Sequence, residues 1–235
     1  MPRVAYKDSA LTVWRGKDCL RLIDGLTTNQ VLDLEKGQVR QTVFTTTAAK
    51  IIDFVTVFHM GDFLAVHSHA SKLSELLDHV IQRILGQDVS ITDVSSKNVY
   101  CIEYGVVNEI VGTFSASNGL TRGNIGPELS ILIAALGFEF DEMRSEEEFS
   151  QWRVENTIPW NGYEISSVHH PLAAGLAAFV HPAKGCYIGQ EILARMVSRG
   201  RQGKKLMRVE TTSTEPGSIT TLGEEYSLAI LRTTQ

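Results

Sequence analysis

The segment from Ser71 to Leu85 constrains the fold of this chain more than any other, because its pattern predicts a long amphipathic helix. Its apolar residues recur at positions i, i+3, i+4, i+7 and i+8, which places them on one helical face, and Gly86 then ends the pattern. These apolar residues are Leu73, Leu76, Leu77, Val80, Ile81, Ile84 and Leu85.

Short strands are predicted on both sides of this helix. Two of them form a hairpin around the turn His59-Met60-Gly61-Asp62, and a short helix over Lys17–Ile23 comes earlier in the chain. The predicted strands are Leu11–Arg15, Lys50–Phe58, Phe63–His67, Val89–Val94, Val99–Val106 and Ile110–Phe114. Strands, a long helix and more strands, in that order, predict an α+β fold.

The second half of the chain has fewer regular elements. Asn118-Gly119 predicts a turn, whereas Leu129–Leu136, apolar except for Ser130, fits either a strand or a buried helix. Ser145 and Glu148 form a capping box that predicts a helix to about Asn156. A loop-rich stretch follows, punctuated by Pro159, Gly162, Pro171 and Pro182. The last predicted elements are a helix from Ile188 to before Gly200 and strands over Lys205–Glu210 and Tyr226–Leu231.

Composition and cysteine spacing give no support for several kinds of partner, cross-link or metal site. A net charge of -5 gives no whole-chain argument for nucleic acid or an anionic membrane as partner. The three cysteines, Cys19, Cys101 and Cys186, form no C-x-x-C pair, so we expect reduced thiols in the cytoplasm rather than disulfides. Neither a secretory signal nor a membrane-spanning run is expected, and the histidines offer no ligand set for a metal.

The most informative segment runs from Lys184 to Glu191, with the sequence KGCYIGQE. Gly185 and Gly189 flank Cys186 just before a predicted helix, and glycine lets a backbone turn sharply and approach another group closely. A helix N-terminus favours a thiolate or a bound anion. Because buried cysteines are often inert, these residues alone support a functional and a structural Cys186 equally.

This segment resembles the signature K-G-C-[YF]-x-G-Q-E of the bacterial YgfZ proteins, which belong to one family with the glycine-cleavage T-protein (GcvT). Three other blocks resemble the same family, with Thr157 as a departure where a small residue is usual. They are Pro171-Leu172-Ala173-Ala174-Gly175-Leu176, Arg153-Val154-Glu155 with Pro159 and Gly162, and Gly16-Lys17-Asp18 with Leu26-Thr27-Thr28-Asn29.

The resemblance implies a folate-binding GcvT/YgfZ-like fold, in which ferredoxin-like subdomains surround a central cavity. Residues 1–200 would form this domain. Residues 201–235 would form a truncated C-terminal β-barrel segment, because the tail is shorter than the barrel usually is. It also implies tetrahydrofolate, or a one-carbon-substituted reduced folate, as cofactor.

The function implied is that of an accessory protein in the assembly or repair of iron–sulphur enzymes, with such clients or assembly proteins as partners and Cys186 as the active thiol. Two alternatives stay open. One is a folate-dependent aminomethyltransferase, and the other is a binding scaffold without catalysis.

Candidate site residues follow from the same resemblance. Glu128, in Gly126-Pro127-Glu128-Leu129, matches the glutamate that binds the pterin, and one carboxylate can accept both the amino group and the adjacent ring N–H of a pterin. The other candidate cofactor-binding residues are Arg122, Arg153, Glu155, Lys184 and Gln190.

Asp53 is a second candidate catalytic residue. The segment Lys50–Phe54 resembles the strand on which aminomethyltransferases carry a pair of aspartates, but only one acid is present. A buried carboxylate costs several kcal/mol unless it is hydrogen-bonded or paired, so an outward-facing Asp53 is the alternative.

Basic residues cluster near the predicted last helix, at Arg195, Arg199, Arg201, Lys204, Lys205 and Arg208. They fit either an anion-binding patch, for example for the glutamate tail of folate, or a solvated helix end whose dipole favours cations.

Overall fold

The computed structural model describes residues 1–105, 109–200 and 203–233, which form helices and antiparallel sheets. The chain divides into two compact units. The first consists of Met1–Asp24, Gln30–Thr42 and Val55–Ser145, and the second of Gly25–Asn29, Val43–Phe54 and Glu146–Gln235. The predicted boundary at residue 200 falls inside the second unit, and the predicted domain assignment stays a prediction.

The helices are α1 (Cys19–Leu26), α2 (Leu73–Ile81), α3 (Glu146–Asn156) and α4 (Gln190–Ser198). The strands are β1 (Arg3–Ala5), β2 (Ser9–Arg15), β3 (Val39–Thr45), β4 (Ile51–His59), β5 (Leu64–His69), β6 (Ser90–Asp93), β7 (Asn98–Tyr104), β8 (Phe114–Ser117), β9 (Leu120–Gly126), β10 (Leu129–Ala135), β11 (Lys204–Glu210), β12 (Ile219–Thr221) and β13 (Tyr226–Arg232).

These strands form three sheets. One has the order β1-β7-β10-β9-β8, a second β3-β4-β5-β2-β6, and a third β11-β13-β12. The predicted hairpin is confirmed as β4 and β5, which pair in antiparallel fashion. The predicted strands at the C-terminal end are confirmed as β11 and β13, which also pair in antiparallel fashion.

The structure decides the open assignment of Leu129–Leu136. The segment forms β10, which pairs on one side with β7 and on the other with β9 and is buried over most of its length. Successive residues of β10 point to opposite faces of the sheet, and five in a row are buried, so both faces are covered. A strand covered on both faces carries a nearly continuous apolar run, and this explains the missing alternation. The predicted turn at Asn118-Gly119 is confirmed: both residues have positive φ, 51° and 78°, as a two-residue hairpin turn requires.

Two predicted boundaries differ from the structure by four residues. Helix α2 ends at Ile81 rather than Leu85, and both side chains are exposed, so a further turn would bury little apolar surface. The strand predicted over Ile110–Phe114 begins only at Phe114, because Gly112 adopts a positive φ of 86° that interrupts an extended backbone. The predicted end of another strand, Val106, lies outside the described residues.

The second unit packs α3 against the third sheet. Val154 on α3 joins Leu206, Leu228 and Ile230 of the sheet in one buried cluster, together with Ala173 from the intervening loop. This cluster fixes the loop-rich stretch between α3 and α4 to both elements. In the part of the chain that the structure describes, no helix has the length and apolarity needed to span a membrane.

A buried histidine in the first unit predicts the response of stability to acid. His67 is 4% exposed and shares a 2.9 Å hydrogen bond with the Ser9 hydroxyl, and burial lowers its pKa from 6.5 to about 3. Between these values the unfolded chain binds a proton that the folded chain does not, so stability is lost as the pH falls below about 6.5.

We expect His67 to reduce the free energy of unfolding by about 2 to 3 kcal/mol between pH 7 and pH 4.5. His67→Gln keeps a polar partner for Ser9 but does not titrate, so its unfolding free energy should depend less on pH. Urea unfolding at the two pH values measures the difference, and equal pH dependence in both proteins would contradict this prediction.

Candidate functional site

Cys186 is exposed, whereas the other two cysteines are buried. Burial raises the pKa of Cys19 to about 11 and that of Cys101 to about 12, so both remain protonated thiols at neutral pH. A partner or an oxidant in solution therefore meets the sulfur of Cys186 and not those of the other two.

Lys184, two residues before Cys186, anchors the loop. Its side chain is buried, and its Nζ donates hydrogen bonds to the carbonyl oxygens of Thr27 at 2.9 Å and Asn29 at 2.7 Å. The ammonium group also lies 5.4 Å from the centre of the Tyr187 ring, within cation–π range. These contacts assign Lys184 a role in positioning the loop, and its predicted role in binding a cofactor stays a prediction.

The two residues after Cys186 are also held in place. Tyr187 packs in a buried cluster with Ala49, Leu172 and Leu193. The next carbonyl oxygen, of Ile188, accepts a 2.6 Å hydrogen bond from the Thr45 hydroxyl. Buried or hydrogen-bonded residues thus hold Cys186 from both sides.

Gly189 lets this loop enter the helix. Its φ is 83°, and a Cβ atom there would lie 2.8 Å from the carbonyl oxygen of Thr46. Helix α4 begins one residue later, at Gln190, and not near Ile188 as predicted. Cys186 therefore lies outside the first turn of the helix, and the predicted effect of the helix N-terminus on its thiol stays a prediction.

The other candidates on this segment have local partners. The backbone N–H of the half-buried Gln190 donates to the Tyr187 carbonyl oxygen at 3.3 Å. On the surface of α4, Arg195 forms an ion pair with Glu191 at 2.6 Å, with both side chains exposed.

Asp53 is buried, with 1% of its surface exposed, and this excludes the outward-facing alternative. It lies on β4, and its Oδ1 accepts a 2.8 Å hydrogen bond from the backbone N–H of Phe54. The phenyl ring of Phe54 in turn packs against Phe179 at 4.8 Å between ring centres. A catalytic role for Asp53 stays a prediction.

Arg153 forms a buried ion pair with Glu164, which sequence reasoning missed. Their side chains are 1% and 0% exposed, and Nη1 of Arg153 lies 3.2 Å from Oε2 of Glu164. The other carboxylate oxygen accepts 2.6 Å hydrogen bonds from the hydroxyls of Thr220 and Thr221. This pair joins α3 to the third sheet. The signal in the sequence was weak: a single acid between Tyr163 and Ile165.

Glu155, the neighbouring candidate on α3, is exposed and accepts a 3.2 Å hydrogen bond from the Gln151 amide one helical turn earlier. Arg153 and Glu155 thus lie in different surroundings, one enclosed among side chains and the other in solvent. Their predicted roles in cofactor binding stay predictions.

The remaining two candidates belong to the first unit. Glu128 lies in the turn between β9 and β10 and is half-buried. Arg122, on β9, lies 3.1 Å from the fully buried carboxylate of Glu103, which also binds Arg3 at 2.9 Å. Sequence reasoning missed Glu103, although an acid inside the apolar strand β7 is a signal of a buried pair.

A cavity of about 320 Å³ lies in the same unit. Apolar side chains dominate its lining, and Asn98 and Thr121 add polar groups; neither Glu128 nor Arg122 lines it. The apolar lining includes Leu11, Val13, Phe58, Met60, Phe63 and Ile133.

The candidates therefore divide between the units. The second unit contains Cys186 and Asp53, and it also contains Arg153, Glu155, Lys184 and Gln190. The first contains Glu128 and Arg122. Within the described ranges, no group of three or more histidine, cysteine, aspartate or glutamate residues is arranged to hold a metal ion.

The basic cluster is exposed at each of its described members. Arg195 is paired with Glu191, and Arg199, Lys204, Lys205 and Arg208 are also exposed. Arg201 lies outside the described residues.

Comparison with known proteins identifies the fold but not the family. No family model matches the chain, and no curated protein matches it in sequence. The structure is similar to the crystal structure of glycine cleavage system aminomethyltransferase T from Bartonella henselae, with a TM-score of 0.80. The two sequences are 11% identical, and the match covers 98% of this chain and 78% of that one.

This similarity confirms the coarser part of the predicted fold class: the chain has a glycine-cleavage T-protein-like fold of helices and antiparallel sheets. Ferredoxin-like subdomains, a barrel remnant and the closer relationship to YgfZ proteins stay predictions.

Proposed function

We propose that this chain is a reduced-folate-binding protein of the YgfZ type, which supports the assembly or repair of iron–sulphur enzymes through the thiol of Cys186. The observation that carries the proposal is the exposure of Cys186 on a loop whose neighbouring residues are buried and hydrogen-bonded. The resemblance of Lys184–Glu191 to the YgfZ signature supports it.

The loop geometry suits a thiol that acts on a partner. Lys184 and Tyr187 hold the backbone on either side of Cys186, so little conformational entropy is lost when the sulfur docks. The chain has three cysteines, two of them buried, and cannot supply the four thiolates that an iron–sulphur cluster usually requires. A cluster in contact with Cys186 would therefore take its other ligands from a client or assembly protein.

The role of the Cys186 thiol is tested in a strain that lacks this protein, by expressing variants and measuring the activity of iron–sulphur enzymes. We expect Cys186→Ala and Cys186→Ser to fail to restore that activity, because neither side chain carries a sulfur atom. Ala183→Ser, at an exposed position of the same loop, is the matched control and should restore it fully. Full rescue by Cys186→Ala would refute the thiol part of the proposal.

Folate binding rests on the T-protein-like fold and on Glu128, which is half-buried in the turn between β9 and β10. A hydrogen bond to a charged group contributes about 1.5 to 3 kcal/mol, so Glu128→Gln should weaken tetrahydrofolate binding by about 10- to 150-fold. Calorimetry measures this. Unchanged affinity in Glu128→Gln would remove Glu128 from the site, and no folate binding in the native protein would favour the scaffold alternative.

An aminomethyltransferase is the second candidate, and the buried Asp53 on a T-protein-like fold favours it. That reaction needs a carboxylate at the folate nitrogen to manage a proton and to stabilise an iminium-like carbon. The single acid on β4, where the resemblance would place two, counts against it. Formation of methylenetetrahydrofolate from an aminomethyl donor, abolished by Asp53→Asn, would replace the first proposal with this one.

A further inference from the structure

Strand β11 has an unpaired edge. It is an outer strand of its sheet, and among the described strands it pairs with β13 alone. The backbone N–H of Thr233 donates to the carbonyl oxygen of Gly203, and inward-facing and outward-facing residues alternate along an antiparallel strand. The backbone groups of Lys204, Leu206 and Arg208 therefore point away from β13, and no described residue donates to or accepts from those of Leu206 and Arg208.

This edge is exposed and positively charged. Lys204, Lys205 and Arg208 are exposed, and none of them forms an ion pair with a described residue. The guanidinium of Arg208 lies 4.0 Å from the ring centre of Tyr226, which holds the charge beside the strand. The outward-facing carbonyl oxygen of Glu210 accepts a 3.0 Å hydrogen bond from the Thr214 hydroxyl, so the available edge runs from Lys204 to Arg208. Five residues are enough to pair with an added strand of ordinary length.

The positive charges of β11 favour an acidic partner strand over a second copy of this chain. A second copy added in antiparallel fashion about Met207 would place Lys204 opposite Glu210, but it would leave Lys205 opposite Val209 and Arg208 opposite Leu206 without an acidic neighbour across the pair. Cations on an edge strand commonly prevent such self-pairing. An extended segment with acidic side chains gains both the backbone hydrogen bonds and the charge attraction.

We propose that β11 binds an extended acidic segment of a partner protein, which joins the third sheet as an additional strand. The backbone of Lys204, Leu206 and Arg208 supplies the hydrogen bonds, and the three cations supply the preference for glutamate or aspartate. This binding surface is independent of Cys186 and of folate.

The probe is a labelled nine-residue peptide of alternating glutamate and valine with blocked ends, whose binding to the full chain is followed by fluorescence anisotropy. Two variants separate charge from strand addition. Arg208→Ala and Arg208→Pro both remove the cation, but only proline removes the outward N–H, and proline is tolerated at such edge positions. We expect the alanine variant to bind a few-fold more weakly and the proline variant at least ten-fold more weakly than the native chain.

Thermal unfolding verifies that the variants fold. A second test uses the native chain and the same peptide N-methylated at every residue, which keeps the charges but has no backbone N–H to donate to β11; it should bind at least ten-fold more weakly. Four outcomes would overturn the proposal: no binding of the acidic peptide, equal binding of its methylated form, equally tight binding of a γ-linked glutamate oligomer, or a dimer in sedimentation that Arg208→Pro abolishes.

Discussion

Replacing Arg153 with methionine is expected to lower the free energy of unfolding by about 3 to 5 kcal/mol, because the substitution leaves the carboxylate of Glu164 buried without its cation. Both side chains are almost completely enclosed, and the guanidinium also donates to the Ile158 carbonyl oxygen at 3.2 Å and the Thr221 hydroxyl at 3.3 Å. Urea unfolding measures the loss. A decrease below about 1 kcal/mol would show that the pair contributes little.

The exposed pair of Arg195 and Glu191 is the matched control, since it involves the same two residue types on a helix surface. Ion pairs of this kind contribute about 0.3 to 0.5 kcal/mol, so Arg195→Met should change stability by no more than that. Adding Glu164→Leu to Arg153→Met should recover part of the loss, because it removes the uncompensated charge.

Folate-binding experiments on Arg153 variants must separate the loss of folded protein from a loss of ligand affinity. Its side chain is 1% exposed and joins α3 to Glu164 and Thr221, so a substitution there reduces the folded fraction before it affects any ligand. Affinities of Arg153 variants should therefore be compared at temperatures where each variant is fully folded. Glu155 offers the cleaner test on the same helix, because its side chain is exposed.

Elements with local signals were predictable from the sequence. The β4–β5 hairpin follows from two apolar runs around a turn, and the turn at Asn118-Gly119 follows from the positive φ values that these residues tolerate. The end of α2 was not predictable, because the apolar pattern continues to Leu85 although the structure provides nothing to bury that residue. Periodicity reports which face of a helix is apolar, and only tertiary packing decides how much of that face is used.

The candidate site was predictable only in part, because its anchors are distant in sequence. The segment around Cys186 could be located from its glycines and its resemblance, but the acceptors of Lys184 are 157 and 155 residues away. Likewise, Glu164 receives a hydrogen bond from Thr221, 57 residues later. A lysine that binds distant carbonyl groups and one that awaits a ligand have the same local sequence.

Gly185 and Gly189, which flank the segment with Cys186, are expected to differ greatly in how much stability an alanine substitution costs. Gly189→Ala should lower the free energy of unfolding by about 2 to 4 kcal/mol, because its left-handed φ of 83° and the Thr46 carbonyl oxygen, 2.8 Å from the new Cβ, each oppose a side chain. Gly185→Ala should change stability by less than about 1 kcal/mol, since nothing lies within 4 Å of its Cβ position. Urea unfolding of the two variants measures both values.

The same pair tests whether Cys186 needs a fixed loop. If the thiol acts from a rigid position, Gly189→Ala should impair the support of iron–sulphur enzymes even at temperatures where the variant is folded, whereas Gly185→Ala should retain it. The rate at which iodoacetamide alkylates Cys186 provides an independent readout, because a displaced loop changes access to the sulfur. Equal enzyme support by the two folded variants would mean that exposure of the thiol is sufficient and that the anchors beside it serve stability alone.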